Sequence, residues 1–200
     1  MNQEGETMKK ELHRLIANAR ILGLPYDSSL PTHLREIFKS ADDHRRHLSH
    51  IELEEICTFS SMDAQPLLTL QENADLIVEA AKSRLLKENP ELIEIGGALY
   101  PENRAEACWR DCWHFLRLAI YAAAADRPTF THPPGVEGMS ELYKELNVPI
   151  PSLAMAMKYL QEQAVGLISK TGHCTNTTKI HSSLQHLQDI MAGDLFQFSQ

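Results

Sequence analysis

The stretch RAEACWRDCWHFLRLAIYAAAAD, Arg104 to Asp126, decides the fold. At about 100° per residue, Arg104, Cys108, Asp111, Cys112 and Phe115 fall along one stripe of a helix. The continuation Leu118 to Ala125 is apolar all round, as a helix buried on every side is. One helix therefore carries a chemically mixed stripe at its start and a core segment at its end. A carboxylate on such a stripe is costly to bury alone, so Asp111 requires a partner, and a nearby arginine is the ordinary one.

Helical periodicity extends in both directions from this segment. Leu12, Leu15, Ile16, Ala19 and Leu22 predict a first amphipathic helix over Met8 to Leu22, stopped by Gly23 and Pro25. A second helix follows Pro31 and Thr32, with Leu34, Ile37, Phe38 and Ala41 on one face. Ser49 with Glu52 reads as a capping box for a third. Further helices are expected near Gln65 to Asn89 and Asn103 to Asp126, and Gly96, Gly97 and Pro101 break the chain between them. After the breakers Pro128, Pro133, Pro134 and Gly135 come helices at Glu137 to Leu146, Ser152 to Ser169 and about Thr178 to Met191, with Lys170 to Thr177 a polar loop. No segment alternates as a strand does. Seven or eight helices with short connections predict an all-α, globin-like or bundle fold.

Composition narrows the function. The 200 residues are 43% hydrophobic, enough for one core without staples. The net charge of −8 lacks any run of Lys and Arg, and His44-Arg45-Arg46-His47 is too short to track a phosphate backbone, so nucleic acid is excluded as a partner. Cys57, Cys108, Cys112 and Cys174 form no disulfide framework, and the polar, acidic opening Met1 to Thr7 is unlike a signal peptide, so a cytoplasmic location is expected. The longest apolar run is far below the roughly 20 residues of a membrane span.

In order and spacing, the chain resembles the phycobiliproteins, the allophycocyanin-like light-harvesting proteins of the cyanobacterial phycobilisome. Cys-x-Arg-Asp-x-x-aromatic-aromatic-Leu-Arg is that family's chromophore helix, and Cys108 to Arg117 fits it except that His114 replaces the first aromatic. His33 to Leu48, the entry Leu48 to Leu53, Asn73 to Ala81, Gly96-Gly97-x-x-Tyr100 and Glu141 to Ile150 are similar to further family segments, so the resemblance covers Pro31 to Ser169. It implies a globin-like domain over 31–200, preceded by an N-terminal helical extension over 1–30. It also implies a non-enzymatic, bilin-binding protein with a linear tetrapyrrole, phycocyanobilin first among them. Cys108 would form a thioether to the ligand, Asp111 would anchor its pyrrole N–H groups, Arg110 would hold a propionate and Arg104 would be a second cation. Phe115, His114 and Tyr100 complete the expected pocket. By geometry alone Arg110 stands about 200° round the helix from Cys108, so only the resemblance nominates it.

Several features depart from the family. Cys112, Trp113, His114 and Phe115 replace a Leu-Asp-Tyr-Tyr run, Ala98 stands where many β-type subunits have asparagine, and the first thirty residues are additional. The chain therefore resembles a divergent paralogue, such as the bilin-biosynthesis-associated globins. The rival reading is a chromophore-free accessory protein that assists bilin biosynthesis or photosystem and phycobilisome assembly. Oligomerisation through N-terminal helices and a location peripheral to the thylakoid membrane accompany either reading. Haem ligation by His114, a zinc site from Cys108, Cys112, His114, His173 and Cys174, and a Cys108–His114 dyad are weaker alternatives. Trp109 and Trp113 read equally as a stacking wall or a helix contact. Tyr121, Met155 and Met157 read as core, His44, His47 and His50 as solvated, and Glu137 to Glu145 as a solvated helix face.

Overall fold

The buried half of the long helix organises the molecule. In a computed structural model describing residues 3–170 and 174–197, every position from Phe115 to Ala125 is buried. Among the described residues there are nine α-helices: α1 (Gln3–Asn18), α2 (Thr32–Asp43), α3 (His50–Ser60), α4 (Ala64–Glu72), α5 (Ala74–Glu88), α6 (Glu102–Ala124), α7 (Pro133–Glu145), α8 (Ile150–Ser169) and α9 (Cys174–Ala192). Helix α6 packs against α3, α4, α5, α8 and α9, and its run of alanines lets those neighbours approach closely. Tyr121 and Met157 are fully buried in this core, whereas Met155 is 36% exposed, contrary to its expected place.

Local chemistry explains where the helices begin and end. Ser49 and Glu52 form the expected reciprocal cap of α3. The single helix expected over Gln65 to Asn89 is divided at Asn73, whose side chain donates to the Thr69 carbonyl at 2.8 Å. Such a local bond offers the backbone an alternative to helix continuation. Helix α7 starts four residues before the expected Glu137, because Pro133 and Pro134 occupy its first turn, where no N–H is needed. Its face is not wholly solvated, since Val136, Met139 and Tyr143 are buried. Helix α9 starts at Cys174, inside the expected loop; residues 171–173 lie outside the described ones.

The first helix ends at Asn18, short of the expected Leu22, because the following residues pair elsewhere. His132 N–H donates to the Ile21 carbonyl at 2.8 Å, Gly23 N–H donates to the Phe130 carbonyl at 2.7 Å, and Leu22 bridges Thr131 antiparallel. Helix α1 lies on α7, with Leu15 buried. Glycines make this approach possible. A Cβ on Gly135 would stand 1.8 Å from the Arg20 carbonyl oxygen, and one on Gly138 would stand 2.5 Å from that of Asn18.

Arg45, beyond the end of α2, sits in the left-handed region at φ 50°. The turn closes by Arg45 N–H to the Asp42 carbonyl and Arg46 N–H to the Ala41 carbonyl, each 3.0 Å. This is the helix stop that glycine ordinarily supplies, and a side chain there costs about 1–2 kcal/mol.

Replacing Gly135 by alanine must push residues 18–21 off α7. A loss of about 1–3 kcal/mol is expected in urea unfolding, with early proteolysis near Arg20. An unchanged midpoint and an intact N-terminal segment would contradict the contact described.

Candidate functional site

The first half of α6 faces a cavity of about 590 Å³. Helix α7 supplies the opposite wall, residues 16–21 at the end of α1 supply part of the rim, and the end of α2 closes one corner. The volume is within the usual range of small-molecule sites. Of the residues singled out in the sequence, Arg104, Cys108, Arg110, Asp111, His114 and Phe115 line it. Tyr100 does not; it is 44% exposed, just before α6. Despite its angular separation from Cys108, Arg110 borders this cavity and also the neighbouring hollow on the Trp109 and Trp113 side.

Cys108 is 7% exposed and borders the cavity, whereas Cys112 is 1% exposed and stands behind it. A hydrogen bond with Cys108, and then burial, push the Cys112 thiol well up, so it stays protonated. Burial likewise pushes Cys57 up to about 12. Cys108 is therefore the thiol that a ligand in the cavity can reach.

The partner of Asp111 is not an arginine. Tyr143 on α7 donates its hydroxyl to Asp111 Oδ2 at 2.8 Å. Burial raises the Asp111 pKa, against the opposing effects of the Tyr143 hydrogen bond, Arg110 and Arg45. Burial, followed by the charge of Asp111, pushes Tyr143 well up, so the tyrosine remains the donor.

Arg104 turns toward the α7–α8 connection, where its Nη2 donates to the Asn147 carbonyl while Nε is buried without a partner. Arg117, 3% exposed, donates to Asp42 Oδ1 at 2.9 Å and to the Tyr121 hydroxyl at 3.0 Å. Arg20 bridges Asp42 at 3.2 Å and Asp43 at 2.7 Å, tying the N-terminal segment to α2. Tyr143, Arg20, Asp42, Asp43 and Arg45 escaped the sequence reading because they come from helices that only tertiary packing brings together.

His114 borders the cavity with Nδ1 buried and unpartnered. Burial, then Arg117, Arg45 and Arg110, bring its pKa down to about 4. The ring is neutral at physiological pH. Its edge meets Trp113 at 5.2 Å, and Trp113 also packs on His47 at 4.6 Å. His47 is thus half-buried, not solvated as expected. Trp109 and Trp113 do not line the cavity; they border a separate hollow with Asp75, Val78, Glu79 and Arg110, and both pack against the helical core. Among the described residues no cluster of three or more His, Cys, Asp or Glu could hold a metal ion; His173 lies outside them. Also among them, no helix is long and apolar enough to cross a membrane.

Three variants separate these effects in the ligand-free protein. Tyr143→Phe leaves a buried carboxylate without its donor and is expected to cost about 1–3 kcal/mol in urea unfolding at pH 7. Because burial raises the Asp111 pKa, its favourable contribution is complete below 3.8 and is lost as pH rises through the folded value. Asp111→Asn is therefore expected to keep or raise stability at pH 7; a clear loss would refute this account.

For His114 the sign is reversed. Its folded pKa is depressed, so the unfolded chain binds more protons between pH 6.5 and about 4, and stability falls as pH is lowered through that window. His114→Phe should flatten this slope in a series of urea midpoints. His47 and His186, also depressed chiefly by burial, contribute in the same direction, as does Glu52 toward the acid end of the window.

Comparison with known proteins came to a consistent result. The sequence model described as phycobilisome protein matches residues 36–191. The chain is 34% identical over 137 residues to allophycocyanin subunit alpha-B of Synechocystis sp., covering 67% of this chain and 85% of that one. Identity to the allophycocyanin alpha chain of Thermosynechococcus vestitus is also 34%, over 133 residues, covering 65% and 83%. Among solved structures, a far-red fluorescent biliprotein derived from a far-red induced allophycocyanin F subunit of Chroococcidiopsis thermalis superposes with a TM-score of 0.58. That match has 23% identity and covers 67% of this chain and 96% of the other, so it supports the all-α, globin-like fold.

Proposed function

The chain belongs to the phycobilisome protein family, and on that premise we propose that its α6–α7 cavity holds a linear tetrapyrrole bound covalently through Cys108. The relatives it matches are allophycocyanin subunits, and the structural neighbour is a fluorescent biliprotein. The observation that carries the reading is that the reachable thiol and the buried carboxylate border one cavity of about 590 Å³.

The residues suit such a ligand. A linear tetrapyrrole carries two carboxylate arms and a row of pyrrole N–H groups, and when bound it supplies visible absorption. Asp111, fixed by Tyr143, offers an acceptor for the N–H groups. Arg110 has no ion pair or side-chain hydrogen bond among the described residues and is available to a carboxylate. Phe115, 4% exposed, contributes apolar wall, and His114 contributes a neutral ring. Cys108 supplies the sulfur: its S–H adds across a carbon–carbon double bond, with sulfur going to one carbon and the proton to its neighbour, and nothing is oxidised.

This is a binding role and needs no turnover. Phycocyanobilin is the ligand we favour. Assembly with phycobilisome components on the cytoplasmic side of the thylakoid membrane accompanies the reading. Residues 1–30 extend the family domain, and residues 16–21 within them contribute to the cavity rim.

Co-expression with a bilin-producing pathway tests the proposal. The purified chain should be coloured, with a colour that survives denaturation and migrates with the polypeptide. Cys108→Ser should abolish that covalent colour, while Cys112→Ser should retain it. A colourless parent protein, or a covalent adduct persisting in Cys108→Ser, would overturn the assignment.

A further inference from the structure

Five arginines and three aspartates line the cavity, an excess of two positive charges in a chain of net charge −8. Most of these groups are already engaged. Arg117 and Arg20 are held by Asp42 and Asp43, Arg104 donates to the Asn147 carbonyl, and Asp111 accepts from Tyr143. Arg45 and Arg110 remain. Among the described residues neither makes an ion pair or a side-chain hydrogen bond.

Arg45 stands where the end of α2 closes the cavity, and Arg110 stands between the cavity and the neighbouring hollow bordered by Asp75 and Glu79. Both border the cavity, and both act electrostatically on Asp111 and on His114. Asp42 and Asp43, the carboxylates nearest to Arg45 in sequence, cannot neutralise it, because Arg117, Arg20 and Lys39 already bind them. The backbone beneath Arg45 is informative in its own right. A non-glycine residue holds the left-handed position that ends α2, where glycine would fold more easily. A side chain kept against its own backbone preference is a reason to look for a use.

We propose that Arg45 forms, with Arg110, a paired guanidinium subsite that binds the two carboxylate arms of the tetrapyrrole and so fixes which way round the ligand lies. This rests on the proposed function and extends it to a residue outside the cysteine helix. Guanidinium groups suit the task because each can make two parallel hydrogen bonds to a carboxylate. Both side chains are exposed at the cavity mouth, so the gain is moderated by water.

The test uses the full chain carrying Cys108→Ser, so that binding is reversible, with biliverdin and biliverdin dimethyl ester as probes. Arg45→Gly is the informative variant, since it removes the guanidinium and relaxes the backbone. Its Tm should be equal to or above that of the parent, its affinity for the diacid should fall about tenfold, and its affinity for the diester should be unchanged. Equal losses for both ligands, or no loss for either, would overturn the subsite while leaving the tetrapyrrole assignment in place. Failure of the Cys108→Ser chain to bind either ligand would overturn the subsite, whereas the tetrapyrrole assignment is decided by the covalent colour of the parent chain.

Discussion

Arg117 carries a permanent charge at 3% exposure, and the architecture around the cavity follows from what that charge demands. An unpaired guanidinium at such depth is not tolerable, and breaking a buried pair typically costs about 3–5 kcal/mol. Asp42, the Tyr121 hydroxyl and the Ala41 carbonyl accept from its two Nη groups, while Nε is buried without a partner. Two of those three groups lie at the end of α2, so the end of that helix is fixed against the middle of α6. Tyr121 in turn donates to the Arg46 carbonyl, which pins the turn following α2. The corner of the cavity that holds Arg45 is thus set by a core ion pair.

The same pair orders the N-terminal segment. Asp42 and Asp43 also receive Arg20, and residues 18–21 descend onto Gly135 and Gly138 of α7. Part of the cavity rim is therefore built by residues preceding position 36, where the family match begins. An exposed arginine and a pair of glycine contacts join the Leu22–Thr131 bridge and the packing of α1 on α7 in setting how closed that side is. A surface ion pair alone contributes little. Close backbone approach through glycine provides the complementary constraint, since it requires no side chain to be ordered.

What the sequence could disclose was bounded by the range of its periodicities. The α6 stripe was legible because helical spacing places Cys108, Asp111 and Phe115 together without reference to any other element. The partner of Asp111 was not, because Tyr143 lies 32 residues away on another helix and no spacing rule links them. Local exceptions misled in their turn. Asn73 divides a continuous apolar pattern through its own side chain, and Pro133 and Pro134, read as breakers, open a helix. His47 was read as solvated from its polar neighbours, yet Trp113 covers it. Arg110 shows the converse: helical angle does not place it with Cys108, yet it borders the same cavity as well as the hollow beside it.

The cavity is an expensive arrangement for a protein that only needs to fold. Asp111 is buried enough that its charge is disfavoured, His114 holds a buried nitrogen without a partner, and Arg45 occupies a glycine position. Each could be relieved by a single substitution, and all three converge on one space of about 590 Å³. Left-handed residues and unpartnered buried atoms also occur away from the cavity, at Ser61, Asp126, Arg35 and Ser183; here they adjoin a carboxylate whose charge is disfavoured, which folding alone gives no reason to place there. A ligand does, if it brings hydrogen-bond donors to the carboxylate and acids to the guanidiniums, because binding then returns what folding gave up. The thiols fit the same logic: Cys112 is sealed behind Cys108, so one thiol borders the space, and the proposed attachment would be regiospecific.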